Sequence, residues 1–136
     1  MISTEAPLFN PDPAAYLPHR HPFLFLDRLL SLEPGVSASG IKAITREWEG
    51  FPPVLLLEGM AQLAGIAVGQ KEGERGVLAA IQGGRMPAAV EPGATVLLSV
   101  RILKAFGGLF LVEGEARVAE EVVASAALTL AVGTVW

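Results

Sequence analysis

The sequence predicts an α+β fold in which one long antiparallel sheet wraps around a single hydrophobic helix. The chain has 136 residues, a length typical of one domain with one core. One segment, Val54 to Gln70, is rich in Leu, Ala and Met and is too long for an ordinary strand. Proline before this segment and Gly69 near its end mark the ends of a helix. The remaining apolar segments have the lengths of strands and are separated by turn signals.

Those strand-length segments lie on both sides of the helix in the sequence. The first two meet at the turn signal Glu33-Pro34-Gly35, which predicts a hairpin. The last three follow one another with short turns between them, as in an antiparallel meander, and Gly107-Gly108 is a two-residue hairpin signal. The segments are Phe23–Leu32, Val36–Thr45, Val77–Gln82, Thr95–Phe106, Leu109–Val118 and Val122–Val132.

The domain organisation follows from the distribution of proline. Residues 1–22 contain five prolines, so we expect an N-terminal arm with at most a short helical turn around Ala14 and Ala15. Residues 23–136 are expected to form a single domain, because no linker or internal repeat divides them.

The composition excludes several classes of function. The net charge is −4 and the ten basic residues are scattered, which argues against nucleic acid as a partner. Cysteine is absent, so we expect neither disulfides nor a thiol nucleophile. The chain has no signal-like N-terminus and no apolar run of roughly 18 residues, which predicts a cytoplasmic protein without a membrane span. With 51% hydrophobic residues, an oligomer is favoured.

One carboxylate, Glu58, interrupts the apolar helix. Gln62 follows four residues later on the same helix face, so the two side chains can form one polar site. No other polar side chain lies between Val54 and Met60. A carboxylate in this setting needs a partner, a solvent-filled pocket or a catalytic role, whereas a capping or surface carboxylate is the alternative interpretation.

The other candidate chemistry is weak. His19 and His21 lack further clustered ligands, so no metal site is predicted, and we expect a polar cluster with Arg20, Asp27 and Arg28 that holds the arm to the first strand. The glycine-rich turns lack the spacing of phosphate-binding loops, and the serines lack the pattern of a nucleophile elbow. The sequence therefore predicts no cofactor.

Four motifs occur in order along the chain: LPHRHPFLFLDR, LLLEGMAQLAG, VEPGATVLLSV and ILKAFGGLFLVEGEARV. With these motifs the chain resembles the hotdog-fold (3R)-hydroxyacyl-acyl-carrier-protein dehydratases of fatty acid synthesis, from Leu17 to about Leu130. The resemblance implies a hotdog fold and a homodimer, with larger oligomers left open. It also implies an acyl thioester, on acyl carrier protein or coenzyme A, bound in a tunnel at the dimer interface.

The resemblance implies the site residues as well. Glu58 matches the catalytic carboxylate of the family and Gln62 belongs to the same motif, so both are expected to be catalytic. Pro53, Val54 and Gly59 are expected to contact the substrate. The second catalytic group of the family is a histidine in a Gly-His-Phe-Pro-Gly loop before the helix. The corresponding segment here is shorter and contains no histidine, which makes catalytic turnover the open question.

Three functions stay open on the sequence. The first is a dehydratase-like enzyme, a lyase of acyl-chain metabolism. The second is an acyl-CoA thioesterase in which Glu58 acts on water or on the thioester, helix-start N–H groups stabilise the oxyanion, and Gln62 orients the water or the carboxylate. The third is a non-catalytic acyl-binding or partner subunit, in which Trp48 fills the place of the missing histidine.

Overall fold

The described part of the chain forms one antiparallel sheet and one α-helix. In this computed structural model the described residues are 9–18, 23–46, 51–69, 74–86 and 90–134. The helix α1 spans Val54–Val68. The strands are β1 (Arg28–Glu33), β2 (Ser37–Ala43), β3 (Glu74–Arg85), β4 (Thr95–Phe106), β5 (Leu109–Val118) and β6 (Glu121–Thr134). Their order in the sheet is β1-β2-β4-β5-β6-β3 and every pairing is antiparallel. The predicted α+β architecture is confirmed.

The helix α1 is buried on most of its surface because its residues are apolar or small. It ends at Gly69, whose φ of 71° is a backbone conformation that favours glycine. Gly59 allows α1 to approach the sheet closely, since a Cβ added there would lie 2.8 Å from Leu98 Cδ1. Close packing of the helix against the sheet is therefore the physical reason for a glycine at this helical position.

The core lies between α1 and the inner face of the sheet. Alternation along β5 buries Val112 and Ala116 and exposes Glu113. Gly114 faces inward as well, and a Cβ added to it would lie 3.1 Å from the sulfur of Met60. The missing side chain at this position leaves the room that the Met60 side chain occupies.

Four strands differ in extent from the sequence prediction. β2 spans Ser37–Ala43 and is shorter than the predicted Val36–Thr45. β1 begins at Arg28 rather than at Phe23, because the Phe23 carbonyl and the Phe25 N–H bind the Gln62 side chain of α1 instead of a neighbouring strand. β3 is longer than the predicted Val77–Gln82, since it pairs with β6 from Glu74 to Arg85. β6 starts at Glu121, directly after a two-residue turn.

β3 lies at the edge of the sheet. Among the described strands it pairs with β6 on one side only. From residue 76 to 85 its residues are exposed, with the exception of the half-buried Leu78. Val77 and Ile81 are 44% and 43% exposed. Such an edge presents free backbone groups and apolar side chains to any strand that can pair with it.

The described part of the N-terminal arm packs against the domain. A 3-10 turn spans Pro13–Ala15, where the short helical turn is predicted. Leu17 is buried in the core, and the N–H of Leu29 donates to the carbonyl of Pro11 at 2.8 Å. The division into an arm and one domain stays a prediction. Among the described residues, no helix has the length and hydropathy that a membrane span requires.

Candidate active site

The polar site predicted on α1 is present in the structure. Glu58 is half-buried and lies just after the first turn of the helix, and Gln62 lies one turn further on with only 3% of its surface exposed. The Gln62 Nε2 donates a hydrogen bond to Glu58 Oε1 at 3.1 Å. The buried amide therefore holds one oxygen of a carboxylate that stays accessible to solvent.

Gln62 also binds the chain segment that leads into β1. Its Nε2 donates to the carbonyl of Phe23 at 2.9 Å, and its Oε1 accepts from the N–H of Phe25 at 2.9 Å. Because a backbone N–H can only donate, the amide oxygen must face Phe25 and the NH₂ group must face Glu58. Both amide hydrogens are thus used, one on the Phe23 carbonyl and one on the Glu58 carboxylate.

The structure places the predicted substrate-binding residues on two sides of α1. Pro53 is half-buried directly before the helix, and Val54 is 54% exposed one turn before Glu58 on the same face. Gly59 lies on the buried side, where an added Cβ would meet Leu98 and Phe25. Pro53 and Val54 adjoin the carboxylate, whereas Gly59 faces the sheet. Contact of all three with a substrate stays a prediction.

Two of the N–H groups at the start of α1 are already engaged. The N–H of Leu55 donates to the carbonyl of Pro52 at 3.0 Å, and the N–H of Leu56 donates to the carbonyl of Pro53 at 2.9 Å. These short-range bonds tighten the first turn. An oxyanion at this helix start would have to compete with them.

Sequence reasoning missed the backbone groups that complete the site. Phe23 and Phe25 belong to a segment that the sequence assigns to a strand, and no local signal marks their bonds to Gln62. The predicted polar cluster of the arm with Asp27 stays a prediction, because its histidines and Arg20 lie outside the described residues. Asp27 accepts from the backbone N–H of Ala43 at 2.6 Å and from Lys42 Nζ at 3.3 Å. Both groups belong to β2 rather than to the arm.

Several residues that the sequence singles out lie outside the described residues. These are His19, Arg20, His21 and Trp48. Neither the arrangement of the two histidines nor the proposed filling by Trp48 is described by the structure. The site is therefore built here from Glu58, Gln62 and the residues around them.

The fold has clear counterparts among solved structures, and together with the helix carboxylate it defines a hotdog protein. The dehydratase heterocomplex ApeI:P from Xenorhabdus doucetiae matches with a TM-score of 0.79 and 18% identity over 90% of this chain and 91% of that chain. A Thermus thermophilus protein described as a thioesterase superfamily member matches with a TM-score of 0.63 and 17% identity over 77% of this chain and 86% of that chain. At these identities the likeness concerns the fold alone.

The chain belongs to the FabA-like domain family, whose model matches residues 17–127. The 3-hydroxyacyl-[acyl-carrier-protein] dehydratase FabZ of Caldanaerobacter subterraneus subsp. tengcongensis is 40% identical over 132 residues, which cover 88% of this chain and 94% of that protein. The FabZ of Bacillus subtilis strain 168 is 38% identical over 130 residues, covering 86% and 92%. This chain is thus a dehydratase-like hotdog protein, and the family assignment made from the motifs is confirmed.

Proposed function

We propose that this protein is a (3R)-hydroxyacyl-thioester dehydratase of fatty acid metabolism in which Glu58 is an acid–base group. The observation that carries the proposal is the Glu58 carboxylate, half-buried on an apolar helix and held by Gln62. The relatives named as 3-hydroxyacyl-[acyl-carrier-protein] dehydratases support the reaction type.

The reaction sets the demands on the site. Dehydration removes a proton from C2 of the acyl chain and delivers a proton to the hydroxyl that leaves C3 as water, while a double bond forms between C2 and C3. In this proposal Glu58 transfers one of these protons, which is supported by its partial exposure and by the exposed Val54 one turn earlier in the helix. Gln62 is a positioning residue, since it fixes one carboxylate oxygen and leaves the other to the substrate.

The direct test is turnover of (3R)-hydroxyacyl and trans-2-enoyl thioesters, each on acyl carrier protein and on coenzyme A. We expect Glu58→Gln to lower kcat by roughly 100-fold to 10,000-fold, the range typical of a lost acid–base group. Glu113→Gln is the matched control, because Glu113 is an exposed carboxylate on β5 that pairs with Arg101. Turnover by Glu58→Gln at the wild-type rate would refute the role of Glu58.

The second proton-transfer group can be sought among the two histidines of the chain. His19→Ala and His21→Ala are sufficient for this test, because no other histidine is present. A loss of kcat in one of them, comparable to the loss in Glu58→Gln, identifies the partner group. Wild-type turnover in both variants assigns that proton transfer to a different group.

The same assays separate the alternatives that the sequence leaves open. Release of free thiol from acyl-CoA, abolished in Glu58→Gln, would indicate a thioesterase instead. The engaged N–H groups of Leu55 and Leu56 weigh against that chemistry, since they are the oxyanion donors that it would use. Binding of acyl thioesters without turnover of any kind would indicate a non-catalytic acyl-binding or partner subunit.

We also propose that the protein acts as a cytoplasmic homodimer formed through the edge strand β3. Val77 and Ile81 give this edge apolar surface, and a second β3 can supply the missing strand pairing. Val77→Lys is expected to shift the protein toward monomer in sedimentation experiments. Phe106→Lys adds the same charge at a residue that is 74% exposed on β4, three strands away from β3, and should leave association unchanged.

A further inference from the structure

Asp27, the residue directly before β1, binds three groups of β2. Its backbone N–H donates to the carbonyl of Ile41 at 2.8 Å. One carboxylate oxygen accepts from the backbone N–H of Ala43 at 2.6 Å, and the other accepts from Lys42 Nζ at 3.3 Å. The Lys42 side chain is only 15% exposed, so its ammonium group is held more firmly than that of a typical surface ion pair. Asp27 therefore fixes the chain to β2 at this position.

The segment that ends at Asp27 lies against the helix beside the candidate catalytic carboxylate. The N–H of Phe25 and the carbonyl of Phe23 both bind the side-chain amide of Gln62. The same amide nitrogen that binds Phe23 also donates to Glu58 Oε1 at 3.1 Å. The carbonyl oxygen of Phe25 would lie 3.3 Å from a Cβ added to Gly59, the residue after Glu58. The segment thus contacts the helix through Gln62 and also directly at Gly59.

We propose that Asp27 is a positioning residue for Glu58, which it affects through the segment Phe23–Asp27 and the amide of Gln62. This inference rests on the proposed function, because the position of Glu58 matters for turnover only if Glu58 transfers a proton. Asp27 is two residues from Phe25, and two extended residues span at most about 7 Å. A shift of the chain at Asp27 is therefore passed to Phe25 across few rotatable bonds.

The burial of the groups along this path makes the effect on Glu58 larger than the effect on stability. Gln62 is 3% exposed, so water has little access to replace its backbone partners if the segment moves. An amide that has lost these partners no longer holds Glu58 Oε1 in one place, and a misplacement of about 1 Å can lower turnover by about 100-fold. The Asp27 side chain, in contrast, is 42% exposed, and an ion pair of such a group contributes little to stability.

The first test measures kcat and KM for hydration of a trans-2-enoyl thioester. Asp27→Ala should lower kcat by roughly 10-fold to 100-fold and change KM less, as expected when only the geometry of a proton-transfer group is disturbed. Asp27→Asn keeps an oxygen that can accept from the N–H of Ala43, and it should recover most of the lost kcat. Glu113→Ala is the matched control, because it removes a carboxylate from an exposed ion pair on the outer face and should keep the wild-type kcat.

A double-mutant cycle tests whether Asp27 acts through Gln62. In a Gln62→Ala background the path is already broken, so adding Asp27→Ala should cause no further loss of kcat. A double variant whose loss equals the product of the two single losses would overturn the inference, because the two residues would then act independently. Melting temperatures show whether each variant is folded at the temperature of the assay.

A second measurement does not depend on turnover. The side-chain amide signals of Gln62 in ¹⁵N–¹H NMR spectra can be assigned by their absence in Gln62→Ala. They should shift in Asp27→Ala and stay in place in Glu113→Ala, and unshifted signals in Asp27→Ala would overturn the inference.

The two measurements separate this inference from the function on which it rests. A wild-type protein that turns over these thioesters while Asp27→Ala keeps the wild-type kcat overturns the inference alone. A wild-type protein without turnover overturns the proposed function, and the Gln62 signals then decide whether Asp27 positions the pair of Gln62 and Glu58. The same signals decide if the double variant does not fold.

Discussion

Two apolar residues flank the same buried side chain and nevertheless have opposite environments. Val112 on β5 and Ile81 on β3 both pair with Leu128 on β6. Val112 is fully buried, whereas Ile81 is 43% exposed. The difference arises because α1 covers β5 and leaves much of the inner face of β3 open. The meander contributes the core of this chain, and the edge strand contributes a surface for a second copy.

The largest effect on stability is expected from a substitution in the part of the sheet that α1 covers. Leu128→Ala removes a fully buried side chain under the helix and is expected to lower the free energy of unfolding by about 2–5 kcal/mol. Ile81→Ala, at the paired position on β3, should cost less than about 1 kcal/mol in the monomer because its side chain is already half solvated. Urea unfolding at several protein concentrations measures the free energy of unfolding of both variants. If Ile81→Ala loses as much as Leu128→Ala, a second copy of the chain covers Ile81.

Gln62 on α1 and Gln82 on β3 allow the same comparison for polar side chains. Gln62→Ala leaves the Phe25 N–H and the Phe23 carbonyl without their partner, and we expect a loss of about 1–3 kcal/mol in unfolding free energy. Gln82 on β3 is exposed, and Gln82→Ala should change stability by no more than about 0.5 kcal/mol. Gln62→Ala should also lower kcat more than it raises KM. A wild-type kcat in Gln62→Ala would contradict the positioning role.

The β5–β6 turn of the meander contains two residues in an unfavourable backbone conformation. Ala119 and Glu120 have φ values of 50° and 72°, a conformation that favours Asn-Gly. Replacing them by Asn and Gly should raise the free energy of unfolding by about 1 kcal/mol. The β4–β5 turn already has glycine at both of its positive-φ positions, Gly107 and Gly108. Gly107→Ala should therefore lower the free energy of unfolding by a similar amount. Thermal unfolding of both variants gives the sign of each change.

The smallest effect is expected on the outer face of the meander. Arg101 and Glu113 form an ion pair at 3.0 Å, but their side chains are 67% and 58% exposed. Solvent and salt screen such a pair, so Arg101→Ala should cost no more than about 0.5 kcal/mol. A loss above about 1 kcal/mol would show that this face is covered in solution.

The sequence by itself determined the helix, the meander and the carboxylate. Alternation fixed which residues of β5 face the core, and the paired glycines fixed the β4–β5 turn, because both signals are local. Glu58 was found because a charge on an apolar helix is exceptional, and the four-residue spacing placed Gln62 on the same helix face, where the two are hydrogen-bonded. These features depend on neighbours within one turn of a helix or one strand.

Only the tertiary structure decided what surrounds that carboxylate. The segment from Phe23 to Asp27 has the composition of a strand, yet the Phe23 carbonyl and the Phe25 N–H bind Gln62, 37 residues further along the chain than Phe25. Gly84 looks like a turn residue in the sequence, and its position between Leu57 and Ile81 follows from where β3 pairs with β6. Residues far apart in the chain meet only through the packing of α1 on the sheet, which leaves no trace in local periodicity.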